Sequence, residues 1–147
     1  IIAAKLDSAV DAPQDVSYFK QFVEPKLSDQ IKWVGEVNET ERNKLMSEAL
    51  CSLHPVTWPE PFGLTLIESM ACGTPVVTSF NSSLPEVVGD GGILIDPHSA
   101  VDISETIKGI MTDPNLKELL VKRGLQRAHY FTWEKCAEET LVFLKNT

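Results

Sequence analysis

Cysteine is scarce in this 147-residue chain: Cys51, Cys72 and Cys136 stand far apart and are odd in number. With no C-x-x-C pair, neither a disulfide framework nor a cysteine zinc site is expected. All three sit in apolar contexts and read as small buried hydrophobes, a usage that suits a reducing cytoplasm. Positive charge is scarce too. Thirteen Lys and Arg against 21 Asp and Glu give a formal net charge of −8. That balance argues against broad nucleic-acid binding, which needs basic patches to neutralise phosphates. It also argues against adhesion of this surface to an anionic membrane. It leaves a small anionic ligand open, because helix N-termini bind phosphate without Lys or Arg. No apolar run reaches the ~20 residues of a membrane span, so no transmembrane segment is expected. The opening "IIAAKLD" has neither an initiator Met nor a basic n-region, so no secretory signal is read there. It reads as a strand entered in mid-flow, and the chain is expected to be a fragment of something longer. The Asn38 and Asn81 N-x-[ST] triplets would matter only in a secreted protein and are discounted.

What is present is ordinary globular material, 43% apolar and 23% charged, enough for one domain with a core. "IIAA", "IKWVG", "CSLHP", "PVVTS" and "GILID" read as five short strands. Between them lie helical patterns. In "APQDVSYFKQFVEPKL", Val16, Phe19, Phe22 and Val23 recur at helical spacing, with Asp15 as the expected N-cap and Pro25 as the stop. "NETERNKLMSEAL" carries a capping box, Asn38 three residues ahead of Glu41. A helix from about Gly63 to Cys72 closes on Gly73. "SLPEVV" makes a short turn, and three helices follow over roughly 100–112, 114–130 and 132–146, the last capped by Thr132. Apolar strands alternating with helices predict βαβ units and a parallel sheet buried on both faces. The expected fold is α/β, a Rossmann-like parallel sheet flanked by helices, with a helical tail.

Ligands of open α/β sheets bind beyond the C-terminal ends of the strands. The loops expected there are "GEV", "HPVTWPEPFG" and "SFNSSLPE". Gly63, lacking a Cβ, lets another group approach the backbone closely. No Ser, Thr, Asp or Asn stands before it to cap the helix. The amides of Gly63, Leu64 and Thr65, with the helix dipole, therefore form an anion site suited to a diphosphate. Glu68 lies five residues on, ~7.5 Å along the axis, within reach of both ribose hydroxyls of a nucleotide held at the helix tip. Glu60 precedes the helix and faces the group on the distal phosphate. His54 ends the third strand close by, where it could hydrogen-bond a donor or serve structure alone. Trp58 is expected to pack under the loop, and Trp33 and Trp133 in the core. His98 and His129 read as surface, and Glu134, Glu138 and Glu139 as a solvated helix face.

The stretch "EPFGLTLIESMACGTPVV", then "LPEVVGDGGILIDP", resembles the retaining glycosyltransferases of family 4, which have the GT-B fold. "IKWVGEV" and "FTWEKCAEETLVFL" echo the family more weakly. The resemblance implies that the chain is the C-terminal, nucleotide-sugar-binding half of a two-domain enzyme. Residues 1–131 would form the donor-binding domain, truncated at its N-terminus. Residues 132–147 would be the helix that crosses back to the missing acceptor domain. It implies a hexosyltransferase moving a sugar from a UDP-, GDP- or ADP-linked donor to an acceptor hydroxyl with retention, without metal or other cofactor. Glu60 would be the catalytic residue, contacting the sugar hydroxyls and stabilising charge, and Glu68 would hold the ribose. Phe62, Gly63, Leu64 and Thr65 would lie along the diphosphate, and Val37 against the base. On that resemblance the domain's first strand and helix, which usually carry a basic pair contacting the diphosphate, would be missing from this sequence. The isolated fragment is therefore expected to bind donor weakly and not to turn over. The full enzyme is expected in the cytoplasm, with room for peripheral membrane association. One departure stands out. Many relatives carry Gly in the loop before L-P-E, where this chain has Ser82 and Ser83. The alternative is a non-catalytic nucleotide-sugar-binding module, which that substituted loop would favour.

Overall fold

The computed structural model describes residues 1–4, 6 and 12–146. The chain separates into two compact units, residues 1–42 and residues 43–147.

In the first unit, β1 (Ile2–Ala3) pairs in parallel with β2 (Trp33–Gly35). The Trp33 indole N–H donates to the Ala4 carbonyl at 2.9 Å, and its ring meets Phe19 with centroids 4.8 Å apart. Helix α1 spans Pro13–Tyr18. Its N-cap is Ala12 rather than Asp15, which sits in the first turn. Pro13 explains the shift, because its fixed φ and missing N–H suit the first helical position. Nor does Pro25 stop the winding. The chain widens to a π-helix over Phe19–Val23 and tightens to a 3₁₀ turn over Glu24–Lys26. There Pro25 occupies an opening position whose N–H needs no partner. Asn38 and Glu41 exchange the two bonds of a capping box, at 3.0 and 3.1 Å, ahead of α2 (Glu39–Glu48).

In the second unit, β3 (Ser52–His54), β4 (Val76–Ser79) and β5 (Gly92–Ile95) form a parallel ladder in that order. His54 pairs with Thr78, and Ser79 with Ile95. Helices α3 (Leu64–Ala71), α4 (Leu84–Val88), α5 (Ala100–Thr112), α6 (Pro114–Ala128) and α7 (Trp133–Lys145) complete it. Successive β4 side chains point to opposite faces. Val76 joins Leu66, Met70, Leu84, Val87, Val88 and Ala128 on one side. Val77 joins Ile95, Ile110 and Leu120 on the other. The expected two-sided burial therefore holds fully for β4. The outer strands β3 and β5 leave Leu53 and Leu94 partly exposed.

Two glycines let α6 seat against the turn before β5. A Cβ on Gly91 would stand 3.0 Å from the Gly124 Cα and 3.2 Å from the Arg123 carbonyl. Side chains cap α5, α6 and α7: Ser99, Asp113 and Thr132 each accept a first-turn amide. No residue of α7 is buried. Trp133 is therefore not a core residue but 79% exposed, and Cys136 is exposed rather than buried. Both occupy solvent-exposed positions of that helix. Cys51 and Cys72 are half-buried. Burial raises the Cys51 thiol pKa, partly offset by Lys117, so Cys51 stays protonated at neutral pH and packs as an apolar group beside the second core cluster.

Candidate nucleotide-sugar site

The candidate residues except Val37 lie in the second unit, at the C-terminal ends of β3 and β4. Val37 follows β2 in the first unit, half-buried.

Helix α3 starts differently from every other described α-helix. Each of the others has a side-chain cap or a proline in its first turn. The α3 N-cap is Gly63, in the left-handed region at φ +87°, and no side chain bonds the turn. The Leu66 N–H turns back to the Gly63 carbonyl at 3.0 Å. The amides of Leu64 and Thr65 point out of the tip, as at any helix start. Glycine is required twice over, by its φ and because a Cβ would stand 3.1 Å from Leu84 Cδ2 and 3.2 Å from Leu66 Cδ1. Gly63 is thus the cap, and α3 begins at Leu64, one residue later than the sequence predicts. Leu64 and Glu68, four residues apart, share a helix face, with Glu68 ~6 Å further along the axis.

Glu60 lies in the loop between β3 and α3, half-buried. The Trp58 indole N–H donates to its Oε2 at 3.2 Å. Trp58 thus lies 59% exposed beside Glu60 instead of packing under the loop. Flanked by the exposed Thr57 and Pro59, the ring stays at the surface, where its N–H finds a carboxylate partner. Phe62 meets Phe131 edge to face, centroids 6.0 Å apart. Phe131 in turn carries the Arg127 guanidinium at 4.9 Å, and that guanidinium donates to the Val87 carbonyl at 3.0 Å and to the Glu86 carbonyl. Arg127 thereby joins the end of α4 to the aromatic group flanking the α3 start. A basic residue three before Tyr130–Phe131 was the only trace of this in the sequence.

His54 ends β3, its Nε2 2.6 Å from Ser52 Oγ. Ser52 Oγ is 3.0 Å from Ser69 Oγ, whose hydroxyl also reaches the Thr65 carbonyl at 2.7 Å. Burial lowers the His54 pKa, partly offset by the negative charge of Glu60. The imidazole is therefore neutral at pH 7, held by structural partners.

Sequence reasoning also missed the packing of the loop after β4 onto the Glu60 loop. Asn81 Nδ2 donates to the carbonyls of Val56 and Trp58 at 3.1 and 3.3 Å. The hydroxyls of Ser82 and Ser83 both donate to the Glu60 carbonyl at 2.8 Å. Ser82 has φ +53°, alone among the described non-glycine residues in being positive, at a cost of order 1 kcal/mol.

Among the described residues, no group of three or more His, Cys, Asp or Glu is placed to hold a metal ion. None of their helices is long and apolar enough to cross a membrane.

Residues 11–127 match the family Glycosyl transferases group 1. The O-antigen chain mannosyltransferase B of Escherichia coli is 39% identical over 111 residues, 76% of this chain and 29% of that protein. The D-inositol 3-phosphate glycosyltransferase of Kribbella flavida is 38% identical over 58% of this chain and 21% of its own length. The chain therefore spans less than a third of the length of either relative. The sucrose-phosphate synthase structure from Thermosynechococcus elongatus superposes with a TM-score of 0.84 at 28% identity, over 98% of this chain and 37% of that one. The structure of Anabaena HepE in complex with UDP-glucose gives 0.81 at 23% identity, over 99% and 40%. The fold is accordingly the α/β type of GT-B glycosyltransferases, parallel strands flanked by helices.

Proposed function

Since this chain belongs to the group 1 glycosyl transferases, we propose that it is the donor-binding part of a retaining family 4 hexosyltransferase. In this reading α3 holds the diphosphate of an NDP-sugar on the Leu64 and Thr65 amides. Glu68 accepts from the ribose hydroxyls, and Glu60 faces the sugar. Phe62 flanks the diphosphate. His54, kept neutral, is a donor or acceptor for the ligand rather than a charge. The observation that carries the reading is the α3 start, which has neither a side-chain cap nor a first-turn proline, with Glu60 before it and Glu68 one turn inside.

Chemically, the leaving group is a nucleoside diphosphate and the departing sugar carries oxocarbenium character. Preorganised amides at a helix tip stabilise the first, and a fixed carboxylate the second. Neither role needs a metal or other cofactor. A hexosyl donor is supported by relatives named for mannosyl transfer and for a UDP-glucose complex. Residues 1–131 would be the donor domain, and the segment from 132 would return to an acceptor domain outside this chain. The chain alone would then bind donor without turnover. The full enzyme would work in the cytoplasm, and its acceptor could draw it to a membrane surface.

Calorimetry on the 147-residue chain tests this, using UDP, GDP and ADP, their glucose and mannose forms, and inorganic pyrophosphate. One nucleoside diphosphate should bind, its sugar form more tightly. Glu68→Ala should weaken the nucleotides and leave pyrophosphate alone. If no nucleotide binds, or if Glu68→Ala changes nothing, the reading fails. Nucleotide binding with no gain from any sugar would favour a non-catalytic binding module, a role to which the Ser82–Ser83 loop also lends itself.

A further inference from the structure

Backbone pairing between β3 and β4 ends at His54 and Thr78. Beyond it a second ladder continues, made of side chains. The carbonyls of His54, Val56, Trp58 and Glu60 each accept from the segment 78–83. Thr78 and Ser79 reach His54, Asn81 reaches both Val56 and Trp58, and Ser82 and Ser83 reach Glu60, six bonds in all. The accepting carbonyls belong to every second residue, although the segment is not a regular strand: the Val56 N–H also donates to the His54 carbonyl at 2.9 Å, and the chain bends at Trp58. Side chains of the segment 78–83 supply the donors.

The ladder is built at some expense. Asn81 commits its amide N–H groups to two carbonyls and leaves Oδ1 buried without a partner. Ser82 takes a backbone conformation natural to glycine, yet it keeps a hydroxyl that glycine could not supply. The last rung, where two hydroxyls converge on one carbonyl, belongs to Glu60 itself.

We propose that Asn81, Ser82 and Ser83 are positioning residues that preset Glu60 toward the sugar end of the donor. The hydroxyls of Ser82 and Ser83 would thereby set the gain in affinity the sugar provides. The inference rests on the donor-binding reading for its ligand, but the ladder itself has a ligand-free test.

The test variant is Ser82→Gly combined with Ser83→Ala. Glycine fits φ +53° without strain, so global stability should hardly fall. In the ligand-free chain the Glu60 carbonyl carbon-13 resonance should move upfield as its two hydroxyl donors are lost, while the carbonyl resonances of β4 stay in place. Calorimetry with the best-bound nucleotide should show unchanged affinity for the diphosphate. Its sugar form should lose about tenfold, the effect of one or two missing hydrogen bonds. Ser83→Thr, which retains a hydroxyl, should restore part of both effects. An unmoved Glu60 carbonyl resonance overturns the ladder whether or not any nucleotide binds. A moved resonance with an undiminished sugar gain overturns the positioning role. Failure of the unsubstituted chain to bind any nucleotide overturns both that role and the donor-binding reading, while the carbonyl resonance still decides the ladder.

Discussion

The Trp58 indole N–H and the Glu60 carboxylate are joined by a 3.2 Å hydrogen bond across two residues, with Pro59 between them. The proline restricts the backbone on which both side chains stand, so the bond orients a carboxylate within a loop. Trp58→Phe removes the donor and keeps the ring. The expected outcome is unchanged thermal stability, since the pair is largely solvated, with a several-fold smaller gain from the sugar in calorimetry.

Gly63→Ala should destabilise the fold by about 1–3 kcal/mol, the scale for a non-glycine residue forced into a strained φ. The clash with the Leu84 and Leu66 side chains adds to it. Urea unfolding measures the loss. Nucleoside diphosphate affinity should fall as well, because the same shift displaces the Leu64 and Thr65 amides.

His54 predicts a pH dependence. Its folded pKa lies below its ordinary value, chiefly because it is buried. In the interval between the folded and the ordinary value, the unfolded chain binds more protons than the folded one. Stability is therefore complete above about pH 6.5 and declines as pH falls through that interval. Thermal melts from pH 7.5 to 5 should show this decline, and His54→Gln should lessen it.

Arg127→Ala removes bonds to the Val87 and Glu86 carbonyls and the cation held 4.9 Å from Phe131 and 5.0 Å from Tyr130. A loss of about 2–3 kcal/mol is expected. Arg127→Lys should recover little of it, since a single ammonium cannot bridge two carbonyls in the plane of a guanidinium.

The elements most legible in the sequence were those specified by a local pair of residues. The Asn38–Glu41 box, the Thr132 cap and the α3 start at Gly63 each depend on neighbours within four positions. Misreadings arose where distant context decides. Asp15 is a local exception: it is a chemically suitable cap, yet Pro13 sets the cap three residues earlier, at Ala12. Trp133 has core chemistry but lies on a helix none of whose residues is buried. At the candidate site, the positions of Glu60, Gly63 and Glu68 along the chain were legible from spacing. The Asn81–Ser83 rungs were not, because they join side chains to carbonyls more than twenty residues away, and backbone carbonyls leave no mark on sequence. Phe131 and Arg127 were hidden for the same reason.

Gly91 and Gly124 bring α6 and the turn before β5 into main-chain contact, with no side chain between them. Side chains act as a cushion: they change rotamer and let neighbouring elements slide. Here backbone meets backbone, so this corner should behave as a rigid joint, and a single methyl group at Gly91 must wedge it open. Substitutions that tune the site are accordingly better sought in the loops above β3 and β4 than at this seam beneath them.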